Sequence, residues 1–267
     1  MTPTTDSTEH PNEQPAPLLQ ASGISKRFAG LMALADVSIQ VGAGETVAVI
    51  GPNGAGKSTL FNCLSGVLRA DRGTVTFDGQ RLESLGPTQR SRLGIARTFQ
   101  RIELFGGMTV RDHLMVAERA RSGRGGLWSD LFRSSKPTEE EYARCQAVLD
   151  LLGLDDVEDR SADSLSLGKG RLVELGRALM CEPRLLFLDE PSSGLDRNET
   201  EEMSLALETV QREHGTAVVL IEHDVPMVQR LATRIYVLDY GSLIASGNTM
   251  DVLEDEVVRA AYLGVAT

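Results

Sequence analysis

The sequence predicts an α/β fold built on a mixed sheet, and three observations support this prediction. A glycine-rich loop at 51–58 lies between a short β-branched run and a segment with helical character. Late in the chain, short continuous apolar runs alternate with helical segments, a rhythm typical of parallel strands that are covered on both faces. Earlier segments alternate apolar and polar residues instead, which indicates an antiparallel layer beside the main sheet.

The first part of the chain contains the predicted antiparallel layer. Residues 1–17 are polar and rich in proline, so we predict a disordered tail that precedes one domain over 18–267. The segments that follow are short, often alternate in polarity, and are bounded by glycine turns. Strands are predicted at 18–24, 35–41, 46–50 and 73–79, with a helix at 59–68.

The middle of the chain, about 87–182, is predicted to be a mostly helical subdomain that is inserted into the core. Segments 110–120 and 138–152 have helical periodicity, and a glycine- and arginine-rich loop at 121–126 lies between them. The apolar runs typical of a parallel sheet return after this region. Strands are predicted at 185–188, 217–221 and 235–238, followed by a small helical cap at 250–263.

Composition limits the classes of function. The length of 267 residues suits one large domain or one domain with an insertion, and the net charge of −11 argues against a nucleic-acid partner. The three cysteines are scattered and form no zinc-binding pattern. The N-terminus lacks the features of a signal peptide, and no apolar run approaches a membrane span. We therefore expect a cytoplasmic protein that can dock onto a membrane protein.

The loop Gly51–Ser58 matches the phosphate-binding pattern G-x-x-x-x-G-K-[ST] at every fixed position. Its glycines allow successive N–H groups to point inward as an anion nest, and the next helix aims its positive end at the same place. Lys57 can reach the β- and γ-phosphates, and the Ser58 hydroxyl is a natural Mg²⁺ ligand. A glycine turn that merely precedes a helix is the weaker explanation. The predicted nucleotide-binding residues here are Gly51, Pro52, Asn53, Gly54, Ala55, Gly56, Lys57, Ser58 and Thr59.

Two carboxylates, Asp189 and Glu190, follow the predicted buried strand 185–188. Ligand crevices of α/β sheets lie at the carboxyl ends of such strands. We predict that Asp189 holds magnesium, through water, and that Glu190 orients and polarises the attacking water as general base. An ordinary acidic strand end is the alternative, and the upstream phosphate loop makes it less favourable.

Ser166 and Gly168 stand at the start of a predicted helix, shortly before the acidic strand. This motif alone is a weak signal, because Ser and Gly often begin helices. A hydroxyl and a backbone N–H at a helix N-terminus nevertheless form a second phosphate site. One chain with two phosphate sites suggests that two chains share each nucleotide.

Together these motifs resemble those of an ATP-binding cassette (ABC) ATPase of the transporter class, which has a P-loop NTPase core. Six motifs stand in the order of that family over about residues 18–245. They are Gly51–Ser58 (Walker A), Gln100 (Q-loop), Ser166–Gly168 (signature), Leu185–Glu190 (Walker B), Ser193–Asp196 (D-loop) and His223 (switch histidine).

The resemblance implies ATP hydrolysis with Mg²⁺ and assigns roles to further residues. It makes Glu190, His223 and Lys57 catalytic, and His223 would contact the γ-phosphate. Gln100 would contact the γ-phosphate and the metal, which Ser58 and Asp189 would also hold. Phe28 falls where the family stacks an aromatic ring on adenine, although a Phe at a strand end often packs in a core instead.

A finer resemblance points to the ATP-binding subunits of branched-chain amino-acid importers and of the similar urea and amide importers. It rests on the sequence segments 94–100, 104–110, 221–224 and 258–264. It implies uptake of branched-chain or hydrophobic amino acids, or of a small polar solute such as urea or amides. The implied partners are a second cassette, identical or different, transmembrane permease subunits and, indirectly, a periplasmic or extracellular solute-binding protein, but no nucleic acid. The protein would lie on the inner face of the cell membrane. A soluble ABC ATPase without a transporter, such as an assembly factor, remains the alternative.

Two features depart from the plain pattern. Lys169 replaces the glutamine that usually follows the signature glycine, and it places a positive charge near the expected polyphosphate. Five arginines also crowd the segment around Gln100, and they either face a membrane partner or form a solvated basic surface. They are Arg90, Arg92, Arg97, Arg101 and Arg111.

Overall fold

The computed structural model describes residues 16–98, 103–121 and 137–260. Within these ranges the strands form one six-stranded and one four-stranded sheet. The strands are β1 (Leu19–Phe28), β2 (Leu31–Val41), β3 (Thr46–Ile50), β4 (Arg72–Phe77), β5 (Gln80–Arg81), β6 (Ile95–Arg97), β7 (Leu185–Asp189), β8 (Ala217–Ile221), β9 (Arg234–Asp239) and β10 (Ser242–Asn248). The helices are α1 (Lys57–Ser65), α2 (Pro87–Arg92), α3 (Val110–Arg121), α4 (Glu139–Leu152), α5 (Leu167–Leu179), α6 (Arg197–His214), α7 (Val225–Leu231), α8 (Thr249–Glu254) and α9 (Glu256–Val258).

The larger sheet has the order β10-β9-β3-β8-β7-β6 and confirms the prediction of a mixed sheet. Strands β9, β3, β8, β7 and β6 run parallel to one another, whereas β10 pairs antiparallel with β9. Every residue of β3, β7 and β8 is buried, which explains why these strands read as continuous apolar runs. The sequence analysis did not predict β10, since this strand lies at the sheet edge and contains no fully buried residue.

The two faces of the larger sheet belong to two different cores. Because successive side chains of a strand point to opposite faces, Val47 and Val49 join one cluster while Ala48 and Ile50 join the other. The first cluster also contains the inward faces of β1, β2 and β4 and one face of α1. Phe61 of α1 meets Phe187 of β7 edge to face, with ring centroids 5.1 Å apart. Helix α1 is therefore held between the two sheets, and the phosphate loop leads directly into it.

The smaller sheet is antiparallel throughout, with the order β2-β1-β4-β5. Its alternation has a structural cause: Leu19, Ala21, Val75 and Phe77 are buried, whereas the residues between them are more exposed. The predicted antiparallel layer is thus confirmed. The strands extend beyond the predicted segments, because β1 and β2 continue to a turn at Ala29 and Gly30.

The region 87–182 contains the predicted helices but also a strand of the main sheet. Helices α3, α4 and α5 pack on one another, and Gly176 permits a close approach, since a Cβ there would lie 2.9 Å from Leu114 Cδ2. Strand β6 lies inside the same region and pairs parallel with β7. A three-residue edge strand carries too little pattern to be recognised from sequence.

Several predicted features fall outside the described residues. These are residues 1–15 of the predicted tail, Gln100 and Arg101, residues 122–126 of the predicted loop, and residues 261–263 of the predicted cap. Of the described helices, none is both long and apolar enough to span a bilayer.

Three of the clustered arginines are committed to contacts within the fold. Arg90 is buried and donates to the carbonyl oxygens of Leu82, at 2.8 Å, and Leu85, at 2.9 Å. Arg97 Nη1 donates to Asn62 Oδ1 at 3.1 Å, and Arg111 forms an ion pair with Glu158. The alternative of a solvated basic surface is therefore wrong for these three, because each guanidinium pairs with acceptors of its own chain. The alternative that this segment faces a membrane partner stays a prediction.

Candidate active site

The phosphate loop has the backbone that its glycines predict. Gly51, Gly54 and Gly56 have φ values of 147°, 83° and 105°, which are conformations that L side chains rarely adopt. A Cβ on Gly51 would lie 2.0 Å from the carbonyl oxygen of Leu238, and one on Gly56 would lie 2.6 Å from that of Ala33. These two glycines are thus required by close backbone neighbours as well as by their φ values.

The turn between β9 and β10 is hydrogen-bonded to the phosphate loop. Gly241 N–H donates to the carbonyl oxygen of Ala55 at 2.9 Å, and the Gly241 carbonyl accepts from Ala35 N–H at 2.8 Å. The phosphate loop is therefore tied to both sheets through one glycine. Sequence reasoning did not assign a role to Gly241, although the pair Tyr240-Gly241 is a usable turn signal.

Lys57 lies inside the loop, and its side chain is almost fully buried. Its Nζ donates to the carbonyl oxygens of Gly51, at 2.7 Å, and Pro52, at 3.0 Å. Burial lowers the pKa of the Lys57 ammonium, and the nearby carboxylates of Glu190 and Asp189 partly offset that effect. Ser58 follows on the exposed side of the first helical turn. The loop therefore places an ammonium and a hydroxyl at the first two positions of α1.

The two predicted carboxylates end strand β7 beside this loop. Asp189 is 8% exposed, and burial raises the pKa of its carboxyl, with Glu190 adding to that increase. The charges of Arg97 and Lys57 act in the opposite direction on the pKa. Asp189 is thus a buried carboxyl, and the cations near it do not fully offset the cost of removing its charge from water.

Glu190 adopts a backbone conformation that few residues with a Cβ tolerate. Its φ is 49°, and a non-glycine residue in this region costs about 1–3 kcal/mol. Its N–H donates to the carbonyl oxygen of Ile221 at 2.9 Å, which holds the end of β7 against β8. This left-handed conformation turns the chain sharply after β7, and the carboxylate of Glu190 lies beside His223.

His223 and Glu190 meet directly. The distance from His223 Nε2 to Glu190 Oε1 is 3.1 Å, and both side chains remain partly exposed. The two residues come from the loops after β8 and β7, which are adjacent strands of the sheet. The structure thus brings Lys57, Asp189, Glu190 and His223 to one edge of the sheet.

Glu222 is a residue of this edge whose role sequence reasoning missed. It is 2% exposed, and its Oε1 accepts from Ser192 N–H at 2.8 Å. Its Oε2 accepts from the N–H groups of His223, at 2.7 Å, and Asp224, at 3.2 Å. The carboxylate therefore joins the loop after β7 to the loop after β8. An acidic residue at the end of a continuous apolar strand was the available signal.

The signature residues lie at the start of α5, on the helical side of the molecule. Ser166 is the N-cap, and its Oγ accepts from Lys169 N–H at 3.3 Å. Gly168 N–H donates to Glu199 Oε1 at 3.0 Å. Among the described residues, neither Ser166 nor Gly168 has a hydrogen bond to the phosphate loop. The helix start that was predicted as a second phosphate site is thus present, but its Gly168 N–H has an acceptor from its own chain, and its binding of phosphate stays a prediction.

Lys169 does not face the position that we expected for it. Its Nζ donates to the carbonyl oxygen of Gly153 at 2.7 Å and lies 3.9 Å from Asp156 Oδ1. Gly153 ends helix α4 in the left-handed conformation, so the ammonium binds the negative end of that helix. The charge therefore stabilises the contact of α5 with α4, and this placement corrects the expectation of a charge directed at the polyphosphate.

Phe28 is 45% exposed at the end of β1, so the alternative of core packing is wrong. Lys26 Nζ lies 5.7 Å from the centre of its ring. An exposed ring can stack on a base, and its assignment to adenine stays a prediction. Gln100 lies outside the described residues, so its predicted contacts stay predictions as well.

Comparison with known proteins identifies what this site resembles. The model of the ABC transporter family matches residues 34–193. The high-affinity branched-chain amino acid transport ATP-binding protein LivG of Escherichia coli K12 is 38% identical over 253 residues, which cover 94% of this chain and 99% of LivG. The corresponding protein BraF of Pseudomonas aeruginosa is 37% identical over 254 residues, which cover 94% and 99%.

Solved structures agree with this result. MJ1267, an ATP-binding cassette of an ABC transporter, is 34% identical with a TM-score of 0.81, covering 92% of this chain and 98% of MJ1267. CbiO1 of Clostridium perfringens, part of the ABC transporter complex CbiONQ, is 27% identical with a TM-score of 0.77, covering 94% and 96%. These relatives are transport proteins, and they do not favour the alternative of an ATPase without a transporter. With its phosphate loop, its two strand-end carboxylates and this similarity along most of its length, the chain belongs to the ABC transporter family and is one of its ATP-hydrolysing cassettes.

Proposed function

We propose that this cassette powers the uptake of branched-chain or other hydrophobic amino acids, or of a related small polar solute such as urea or amides. The observation that carries the proposal is the convergence of Lys57, Asp189, Glu190 and His223 at the carboxyl edge of the parallel strands. The similarity to LivG and BraF supports the class of solute.

The chemistry follows from the residues at this edge. The N–H groups of the phosphate loop and the Lys57 ammonium bind the terminal phosphates of ATP and stabilise the charge that develops during transfer. Glu190 accepts a hydrogen bond from the attacking water and removes its proton, and such general-base help contributes about 10²–10⁴ in rate. His223 holds the Glu190 carboxylate from one side and reaches the γ-phosphate from the other.

The donor set also fits Mg²⁺. Magnesium is held by few protein ligands together with phosphate oxygens, and no cluster of three or more His, Cys, Asp or Glu suited to a metal occurs among the described residues. The buried charge of Asp189, which its neighbours only partly offset, would be stabilised by a divalent cation. Asp189, the Ser58 hydroxyl and Gln100 would hold the ion, which supplies charge neutralisation of the phosphates when bound.

The second phosphate site requires a second cassette. Ser166 and Gly168 lie at the start of a helix whose contacts are with the helical side of their own chain. We infer that they bind the ATP held by the phosphate loop of another copy, or of a different cassette. Closure of the pair would exclude water, so that hydrolysis depends on pairing.

The remaining partners are those of an import system. The pair of cassettes would bind transmembrane permease subunits on the inner face of the membrane, through the segment around Gln100. A periplasmic or extracellular solute-binding protein would deliver the solute from the other side. The cycle of pairing and release then moves the permease between its inward and outward states.

The experiment is to isolate the complete membrane complex in lipid and to measure phosphate release with its solute-binding protein. Addition of leucine, isoleucine or valine should stimulate hydrolysis several-fold, and urea or an amide should do so if the solute is of that kind. The complex carrying Glu190→Gln is the control and should show no stimulation. Full hydrolysis without any membrane partner, together with failure to co-isolate with a permease, would contradict the proposal.

A further inference from the structure

The N–H that the signature glycine would offer to a phosphate is held by a carboxylate of the same chain. Gly168 is buried at the second position of α5, and its N–H donates to Glu199 Oε1 at 3.0 Å. A Cβ at position 168 would lie 2.7 Å from Glu199 Cγ. Because residue 168 has no Cβ, the Glu199 carboxylate can approach the N-terminus of α5 closely. The N–H groups of this first turn have no acceptor within their own helix.

The same carboxylate also binds the D-loop. Glu199 Oε2 accepts from the N–H of Asp196, the N-cap of α6, at 3.3 Å. Asp196 in turn caps α6 through the N–H groups of Asn198 and Glu199. One side chain therefore connects the N-termini of α5 and α6, which carry the signature and the D-loop respectively.

A carboxylate at this position accepts from the same N–H that a phosphate oxygen would use. Both groups are anionic acceptors that favour the positive end of a helix, and they compete for the same N–H. Among the described residues, no Lys, Arg or His forms an ion pair with Glu199, so no such pair neutralises its charge. Two anions at one helix N-terminus repel each other, which opposes the simultaneous presence of both.

We propose that Glu199 belongs to the shared nucleotide site as a competitor of the terminal phosphate. Its carboxylate holds the Gly168 N–H while the cassettes are apart, and it releases this N–H when the ATP of the partner cassette arrives. Glu199 thereby raises the concentration of ATP that pairing requires. This inference rests on the proposed function, in which two cassettes share ATP.

The test measures pairing against ATP concentration by light scattering, in chains that carry Glu190→Gln so that hydrolysis does not deplete the dimer. Glu199→Gln keeps the size of the side chain and one oxygen acceptor but removes the charge. The ATP concentration for half-maximal pairing should fall about 3- to 10-fold, because a neutral acceptor competes about half as strongly for the N–H. Glu202→Gln, an exposed residue of the same helix, is the matched control and should leave the midpoint unchanged.

The direction of the shift separates competition from simple structural support. If Glu199 only supported the signature helix, Glu199→Gln would leave the midpoint unchanged or raise it, and either result would overturn the inference. Glu199→Ala provides a second variant: it should also pair at lower ATP concentration, even though it loses a cap contact and melts at lower temperature. If the Glu190→Gln parent did not pair with ATP at any concentration, the proposed sharing of ATP would itself be wrong.

Discussion

The two regions of this chain that we propose to bind phosphate differ in how complete they are. The region at the end of β7 and β8 brings together residues from separate segments, namely Lys57, Asp189, Glu190 and His223. Here His223 already contacts Glu190, and both carboxylates lie near enough to Lys57 to offset part of the lowering of its pKa by burial. The signature region consists of the start of one helix, and its polar groups are bound by neighbours within the chain. Gly168 is held by Glu199, and Lys169 by the end of α4.

This difference has a physical origin. Parallel strands bring their carboxyl ends to one edge, so residues far apart in sequence become neighbours there without further help. A helix N-terminus that awaits a ligand from another molecule must satisfy its N–H groups meanwhile, and a nearby carboxylate does so. In the function that we propose, the first region therefore carries the chemistry and the second exchanges its intramolecular acceptor for a phosphate of another cassette.

The largest effect should come from Glu190→Gln, which tests whether chemistry belongs to the first region. The amide cannot accept the proton of water, so turnover should fall about 10²- to 10⁴-fold while ATP binding is retained. Phosphate release and equilibrium binding of ATP measure the two quantities. The exposed residue Glu213 supplies the control Glu213→Gln, which should behave like wild type. Wild-type turnover in the Glu190→Gln chain would contradict the assignment of Glu190 as the general base.

The next effect should come from Glu222→Gln, which tests whether the first region depends on the link between its two loops. The amide group can accept from only one of the two loops and presents donors to the N–H groups of the other. We expect kcat to fall about tenfold, which corresponds to about 1.4 kcal/mol, with ATP affinity within about twofold of wild type.

The double variant distinguishes positioning from general loss of stability. If Glu222 acts through His223, then Glu222→Gln added to His223→Ala should reduce kcat little further, because the histidine that it positions is already gone. Independent, multiplicative losses in kcat would show that Glu222 does not act through His223. Melting curves of each variant identify any contribution from unfolding.

A smaller effect, on stability, should follow from Asp189→Asn, which measures the free-energy cost of burying the Asp189 carboxylate in the first region. Burial raises the pKa of the Asp189 carboxyl, so the ionised group destabilises the fold as pH rises above its ordinary pKa of about 3.9. The variant should melt about 2–4 °C higher at pH 7 for each ~1 kcal/mol recovered. This advantage should shrink as pH falls and Asp189 becomes protonated in both states.

Calorimetry at pH 7 and near pH 4.5 checks the sign, with Asp159→Asn, at an exposed position, as the control. The same Asp189→Asn chain should lose Mg²⁺-dependent turnover. A melting temperature that falls at pH 7 would mean that Asp189 stabilises the fold and that its burial carries no cost.

The smallest effect should come from Lys169→Gln, which tests the interpretation of the second region. The ammonium binds the carbonyl oxygen of Gly153 rather than a site for phosphate, so its loss should lower stability by about 0.5–1 kcal/mol, or about 1–4 °C. The ATPase rate should change by less than about twofold. A large change in the ATP concentration needed for pairing would instead place Lys169 near the polyphosphate. Arg212→Gln, which removes an exposed cation of α6, is the matched control.

Much of the fold was predictable because its signals are local. The buried runs at β3, β7 and β8 and the glycine loop each show in a short window of sequence. Strand β6 and strand β10 were missed, since the first has three residues and the second lies half exposed at an edge. Both are strands only because a neighbouring strand offers its hydrogen bonds.

For the candidate site, the sequence by itself was enough to predict which residues carry the chemistry, because their types and order are typical of one class of phosphate site. It did not determine which of them are engaged with one another. The contact of Glu190 with His223, the link made by Glu222, the carboxylate of Glu199 on Gly168 and the turn of Lys169 toward Gly153 depended on the tertiary structure. Each of these contacts joins residues on different elements, and such distances are set by packing rather than by sequence spacing.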